Sequence, residues 1–277
     1  MIHSDWHIHT TASYDAKTPL ETIITRAREL GLVRFGVTDH ANFNDEKFLS
    51  DLRQSVADVN RLRPLCPDMV QGVELTPIAK PEFDYIARTG TREGYVPVLQ
   101  DIPYGIELAA SKDYLVSLGV RYAIGASHWR IDIADWRNAP DDLNASIREW
   151  YRQQLFLACD ERVTVLGHPW YHGKGIWYDD FSRIDPSMNA EIIAALKENG
   201  KCIECNAHFF CTSLASEKFR YQYAEFLREL FEMGIPVTYG SDSHLKYIDL
   251  RGEIEKQLAA VGFKDGDFSE LSEKDLW

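Results

Sequence analysis

Short runs of β-branched and aromatic residues alternate with amphipathic helical stretches along nearly the whole chain. That alternation limits the possible folds more than any other feature. Strands are predicted over residues 2–7, 34–38, 69–75, 122–127, 163–167, 202–206 and 235–239. The first intervening helix carries its own signals. Thr18 is the candidate N-cap, Pro19 takes the first helical position, and Glu21 completes a capping box. Leu20, Ile23, Ile24, Ala27 and Leu30 form its apolar stripe, and Gly31 ends it. A second helix shows Leu49, Leu52, Val56 and Val59 on one face. Further helices are expected at 113–118, 143–158, 188–198, 217–233 and about 248–261. Seven βα units with no linker and no internal repeat predict an α/β chain with a parallel barrel. A doubly wound open sheet is the alternative. The 277 residues suffice for one large barrel or two ordinary domains. Without a linker, a single domain over 1–277 is expected. Only the stretch 77–105 breaks the rhythm. It is punctuated by Pro and Gly and shows no clear helical period, so it is read as an insertion or lid beside the barrel mouth.

The histidines follow this rhythm. His7 and His9 come after strand one, Asp39 and His40 after strand two, and His128 after strand four. His168 comes after strand five, and Asp242 and His244 after strand seven. Six of the nine histidines thus fall where strands end. In a parallel barrel the C-terminal strand ends converge on one face, where active sites sit. A lone histidine would be read as an ordinary hydrogen-bonded or surface residue; six in this placement are read as metal ligands. His7-x-His9 and Asp242-x-His244 are i, i+2 pairs, which on extended chain point to one side. Imidazole with carboxylate and no thiolate suits Zn, Mn or Fe. Seven ligands exceed the need of one tetrahedral ion, so two or three divalent ions are expected. Of the other histidines, His3 reads as surface, His208 follows strand six without an assigned role, and His172 lies in a loop that can touch substrate.

Charge and cysteine usage exclude several classes. A formal net charge of −13 repels phosphate backbones over most of the surface, which argues against nucleic acid as a partner. No run of about 18 apolar residues appears, so no membrane span is expected. The N-terminus lacks the basic and apolar segments of a signal peptide, and a cytoplasmic location is expected. The five cysteines do not suggest a disulfide framework. Cys202-x-x-Cys205 has zinc-ribbon spacing, yet it lies in a predicted strand. Residues three apart on a strand face opposite sides, so the pair is read as buried thiols.

In order along the chain stand His7-x-His9, Thr38-Asp39-His40, Gly72-Val73-Glu74, Ser127-His128, Gly167-His168-Pro169 and Gly240-Ser241-Asp242-Ser243-His244. This series resembles the motifs of the PHP (polymerase and histidinol phosphatase) superfamily. The resemblance implies a distorted (β/α)7 barrel, similar to a TIM barrel, with three metal ions. It implies that Glu74 is a bridging carboxylate, with Glu107 in Tyr104-Gly105-Ile106-Glu107 as a rival. It also implies a ligand at Asp15, where many relatives carry histidine. That departure suggests a different ion, or a weaker one, at one position.

The chemistry expected from such a cluster is hydrolysis of a small phosphorylated substrate by metal-activated hydroxide attacking in line. Asp242, besides being a ligand, is the candidate to accept a proton or orient the hydroxide, and Asp39 the candidate to hold His7 or His9 from behind. Arg130 and Lys174 are candidate phosphate contacts or plain surface charges; Arg183 and Arg220 are weaker candidates. Trp170, two residues past His168, is a candidate aromatic wall for substrate, with simple packing as the alternative. Trp6 and Trp129 adjoin ligands, and Trp6 is expected to face away from the cluster and to pack under helices. A small-phosphomonoester phosphatase of the histidinol-phosphatase kind is the leading reading. The alternatives are a phosphodiesterase or exonuclease on nucleotides, an amidohydrolase-type enzyme, and a metal-stabilised regulatory domain.

Overall fold

A computed structural model describes residues 2–96, 104–133, 142–171, 177–211, 214–247 and 249–277. β1 (Ser4–Ile8) is buried along its whole length, so its polar side chains must find partners inside the protein. α1 (Leu20–Glu29) follows and buries Leu20, Ile23, Ile24 and Ala27. The expected cap differs by one residue. Pro19 takes the N-cap position and accepts from the amides of Thr22 and Ile23, while the Thr18 hydroxyl makes no hydrogen bond. The capping box therefore does not form.

β2 (Arg34–Val37) and β3 (His40–Ala41) share one position in the sheet, interrupted at Thr38-Asp39. Next come α2 (Glu46–Leu62), capped by the Asp45 carboxylate on the Phe48 amide, and β4 (Met69–Leu75). The stretch that breaks the sequence rhythm contains more order than its composition suggests. β5 (Ile78–Ala79) leads into α3 (Lys80–Thr89), which no helical period announced. β6 (Ile106–Glu107) returns antiparallel to β5. α4 (Lys112–Leu118), β7 (Tyr122–Gly125), α5 (Leu143–Cys159) and β8 (Val165–Leu166) follow. Then come α6 (Pro186–Glu198), β9 (Cys202–Asn206) and a five-residue helix, α7 (Ala207–Cys211), directly on the strand end. α8 (Glu217–Glu232), β10 (Val237–Gly240) and α9 (Arg251–Ala260) complete the order.

The main sheet runs β1-β2-β4-β7-β8-β9-β10, with β3 also on β4, and every pairing in it is parallel. It closes on itself beyond the last strand. Ile8 bridges Ser243 in parallel, the Asp242 amide donates to the His7 carbonyl at 2.8 Å, and the His9 amide donates to the Ser243 carbonyl at 3.1 Å. The fold is the expected distorted seven-stranded α/β barrel, nearly closed.

Apolar residues of strands and helices form the main core between barrel and helix layer. The N-terminal end of the barrel is filled separately by Trp6, Tyr122, Ile124 and Val165, together with Leu271 and Leu276 of the C-terminal tail. Trp6 therefore lies away from the cluster, as expected, but it fills the barrel end edge-on to Tyr122 rather than packing under helices. Tyr122 crosses the barrel to donate to the Trp6 carbonyl at 2.6 Å. It can do so because residue 36 is glycine; a Cβ there would sit 1.7 Å from the Tyr122 hydroxyl. Cys202 belongs to this inner group and Cys205 to the outer core, so the two thiols face opposite ways. Burial pushes the Cys202 thiol up to about 12.

Candidate metal centre

The opposite end of the barrel is polar and converges on one carboxylate. Glu74, near the end of β4, is fully buried. Its Oε2 lies 2.7 Å from His40 Nδ1, 3.4 Å from His9 Nε2 and 3.5 Å from His7 Nε2. Its Oε1 lies 3.2 Å from both His128 Nε2 and His168 Nε2. Asp242 Oδ1 is 3.3 Å from His9 Nε2, 3.6 Å from His7 Nε2 and 3.4 Å from His244 Nδ1. Asp15 closes the outer side, 3.5 Å from His40 Nε2 and 3.7 Å from His244 Nε2. All nine candidate ligands thus meet in one place. Glu107 does not: it sits on β6, a third exposed, 3.6 Å from Arg162.

Three overlapping groups have donor atoms close enough to hold an ion: His9-His40-His244, His7-His9-Asp242 and His40-Glu74-His128. The donor atoms themselves favour cations. His7 Nε2 faces His9 Nε2 at 3.1 Å, and His40 Nε2 faces His244 Nε2 at 3.3 Å. His40 Nδ1 and Glu74 Oε2 are close without the alignment of a hydrogen bond, and both are buried. Buried polar atoms rarely go without hydrogen bonds, so unaligned donors and acceptors directed at shared space fit a set of divalent ions.

Backbone strain concentrates here too. Among the described residues, only His168 (φ 21°) and Asp242 (φ 53°) are non-glycine residues at positive φ. Each turns the chain two residues past the end of a strand.

The charges are strongly coupled. Burial opposes the charge of Glu74, but His40, His128 and His7 outweigh it and hold its carboxyl well below the usual range. Asp242 is held low in the same way by His7, His9 and His244. Burial disfavours a charged His40, yet Glu74 and Asp15 lift it to about 10. Asp15 falls to about 2 because His40 and His244 overcome its burial. His7 is raised, burial being outweighed by Glu204, Asp242 and Glu74. His9 is lowered by burial and by the neighbouring His40 and His244.

The rings are oriented from behind. Glu204 Oε1 meets His7 Nδ1 at 2.7 Å, and Glu204 Oε2 accepts from the His168 amide at 2.6 Å. Asn206 donates to Glu204 at 3.0 Å and to Asp242 at 3.2 Å. Gly240 makes room for this carboxylate: a Cβ there would fall 1.9 Å from Glu204 Oε1 and 2.6 Å from His7 Cβ. Asp39 reaches His9 indirectly. It accepts from the Ser13 hydroxyl at 2.7 Å, and Ser13 Oγ stands 3.1 Å from His9 Nδ1. Thr76 Oγ1 stands 3.0 Å from His128 Nδ1. Partners of this kind fix ring orientation and tautomer.

Residues 5–208 match the PHP domain family. The chain belongs to that family. The match covers the ligand candidates from His7 to His168 and ends before Asp242 and His244. A probable histidinol-phosphatase of Thermotoga maritima is 36% identical to this PHP chain over 268 residues, covering 94% of the chain and 93% of the relative. A probable phosphatase of Acetivibrio thermocellus is 42% identical over 57 residues, 21% of this chain and 22% of its own. Among solved structures, a histidinol phosphate phosphatase from Lactococcus lactis, complexed with zinc, L-histidinol and phosphate, superposes with a TM-score of 0.63. It is 19% identical and covers 95% of this chain and 94% of its own, which shows a shared fold.

The substrate contacts expected for this PHP chain fare less well than its ligand candidates. The cluster opens into a cavity of about 310 Å³. Trp170 does not line it. The ring is buried, its Nε1 donates to Asn189 at 3.1 Å, and Phe226, Phe181 and Tyr223 surround it. The turn at His168 sends Trp170 into the helix layer and brings Tyr171 to the cavity instead. Arg130 is also elsewhere. Asp132, two residues on, holds its guanidinium at 2.8 and 2.5 Å, and it lines a small recess with Glu149 and Gln153. Arg183 pairs with Asp179, and Arg220 on α8 lines a separate cleft beside α9. Trp129 packs on Phe43. His172 and Lys174 lie outside the described residues. The sequence alone assigns no role to Glu204 or His208. A carboxylate inside an otherwise apolar buried strand, Cys202-Ile203-Glu204-Cys205, was the available signal for Glu204.

Proposed function

We infer that this PHP chain is a metal-dependent phosphoesterase that hydrolyses a small phosphomonoester. The observation carrying this reading is one buried carboxylate, Glu74, touched by five imidazoles at the mouth of the barrel. The full-length likeness to a probable histidinol-phosphatase supports the substrate class. We propose His7, His9, His40, Glu74, His128, His168, Asp242, His244 and Asp15 as the ligands of two or three divalent ions. Zinc is the first ion to test, because the solved relative holds it. When bound, such ions supply Lewis-acid charge for phosphoryl oxygens and lower the pKa of water at the cluster.

The chain's own residues divide the remaining work. We assign to Asp242, which accepts from the Asn206 amide, the role of taking a proton from the attacking water. Glu204, Ser13 and Thr76 hold His7, His9 and His128 in one orientation each. The buried barrel floor keeps solvent from reaching the cluster from behind.

Phosphate release by the zinc- or manganese-loaded protein from p-nitrophenyl phosphate, bis-p-nitrophenyl phosphate and histidinol phosphate tests the reading. Turnover of the monoesters above the diester is expected. A metal-loaded protein that turns over none of the three would overturn it, and diester preference would replace it with a phosphodiesterase. No described helix is long and apolar enough to cross a membrane, so the assay needs no lipid on that account.

A further inference from the structure

We propose that His208 is a catalytic residue of this phosphatase, the group that gives its proton to the oxygen of the departing alcohol. The proposal rests on the phosphomonoesterase reading above and adds a residue to it.

His208 lines the same cavity as His128, His168 and Asp242, yet it belongs to none of the groups able to hold an ion. Within residues 206–210 the side chains are buried except for His208, which alone is exposed. Asn206, Ala207, Phe209 and Phe210 thus anchor the short helix α7 while the imidazole is left to the cavity. The anchoring is tied to the centre itself. Asn206 Oδ1 accepts from the Phe209 amide at 2.8 Å, and the amide nitrogen of the same side chain donates to Asp242 Oδ2. One side chain therefore sets His208 and Asp242 in a common frame.

Among the described residues, the cavity leaves few other groups for this task. No lysine or arginine lines it among the described residues. The ligand imidazoles are turned on Glu74, Asp15 and Asp242. The other described side chains at the wall are Tyr14, Tyr171, Phe209 and Leu245. Phenols as a class surrender a proton only near pH 10, whereas imidazoles exchange theirs near neutrality. An alkyl alcohol leaves poorly as an alkoxide, so cleavage benefits from a proton delivered to that oxygen.

The step balances. The water oxygen bonds to phosphorus and its proton passes to Asp242. The bond from phosphorus to the ester oxygen breaks, and that oxygen takes the proton of the His208 imidazolium. The alcohol and inorganic phosphate depart, and His208 regains a proton from solvent as Asp242 loses one.

The experiment compares leaving groups. Wild type, His208→Ala and His208→Gln, each loaded with zinc, are assayed on p-nitrophenyl phosphate and on glycerol phosphate. Nitrophenolate leaves without help; glycerol does not. The expected result is a fall in kcat of roughly 100-fold or more on glycerol phosphate for both variants, against less than about fivefold on p-nitrophenyl phosphate. Zinc content and melting temperature should match wild type, because the side chain is exposed. Equal losses on the two substrates, no loss on either, or rescue of glycerol phosphate hydrolysis by Gln, which can hydrogen-bond but not donate a full proton, would each overturn the proposal. Wild-type turnover of p-nitrophenyl phosphate reports separately on the phosphatase reading, so failure of one is told apart from failure of the other. If wild type hydrolyses neither ester, both fall together.

Discussion

Glu74 is fully desolvated and surrounded by imidazoles, and an isolated carboxylate could not stay ionised in such a place. Its charge is sustained by the cationic character around it, which bound ions would supply more fully than protons. Ion loading should therefore release protons at neutral pH. His40, lifted to about 10, keeps its proton until a cation competes for the ring. The sign follows: apparent zinc affinity rises with pH through the neutral range toward that value. Zinc titration calorimetry in two buffers of different ionisation enthalpy checks this, and buffer-independent heats would contradict it. His9→Ala should remove both bound metal and activity, because His9 touches Glu74 and Asp242 together. Glu204→Gln should leave the fold intact but weaken zinc binding by about 10- to 100-fold, since it loosens His7 without removing a ligand. Competition with a chromogenic chelator measures it. At this scale the histidines are legible because each follows a strand, and i, i+2 spacing adds a second donor on one side at His7-x-His9 and Asp242-x-His244. Glu204 was not, since its partner stands 197 residues away and no local pattern joins them. Trp170 takes the packing alternative: it is buried in the helix layer beyond the turn at His168.

Secondary elements were legible wherever a strand was flanked by an amphipathic helix, and β4, α4, α5 and β9 fall within a residue of expectation. The excursion after β4 was read as irregular because Pro and Gly punctuate it. In the folded chain those residues are the helix signals: Pro81 lies in the first turn of α3, and Gly90 ends it in the left-handed conformation at φ 77°. Too few apolar positions repeat within its ten residues to announce a period. β10 shows how tightly an element is constrained by what it faces. Gly240→Ala should cost roughly 1–3 kcal/mol, the range for overpacking a filled core, because the new methyl meets Glu204 and His7. Urea unfolding of the metal-free variant reads the loss, and an unchanged midpoint would show that the carboxylate has room to move.

For the whole molecule, the sheet closes by hydrogen bonds at the proposed ligands and their neighbours, since Asp242 and His9 amides pair with His7 and Ser243 carbonyls. Stripping metal with a chelator should lower the melting temperature, and saturating zinc should raise it. At a free ion concentration a thousand times Kd the gain is about 4 kcal/mol, which corresponds to roughly seven degrees for a chain of this size. A thermal scan that ignores zinc would mean that the ions do not distinguish folded from unfolded chain. The barrel itself was legible from seven repeating units; its seam was not, because closure is a property of the accumulated twist and tilt of all strands rather than of any one segment. The seam joins residues as distant as Ser241 and His7, 234 positions apart. The entropy of closing so long a loop must be met before those contacts give anything back, so the ring should be the last part of the architecture to form during refolding. Zinc added after that event would find a finished socket, whereas zinc present beforehand would act as a clasp that draws the two ends together.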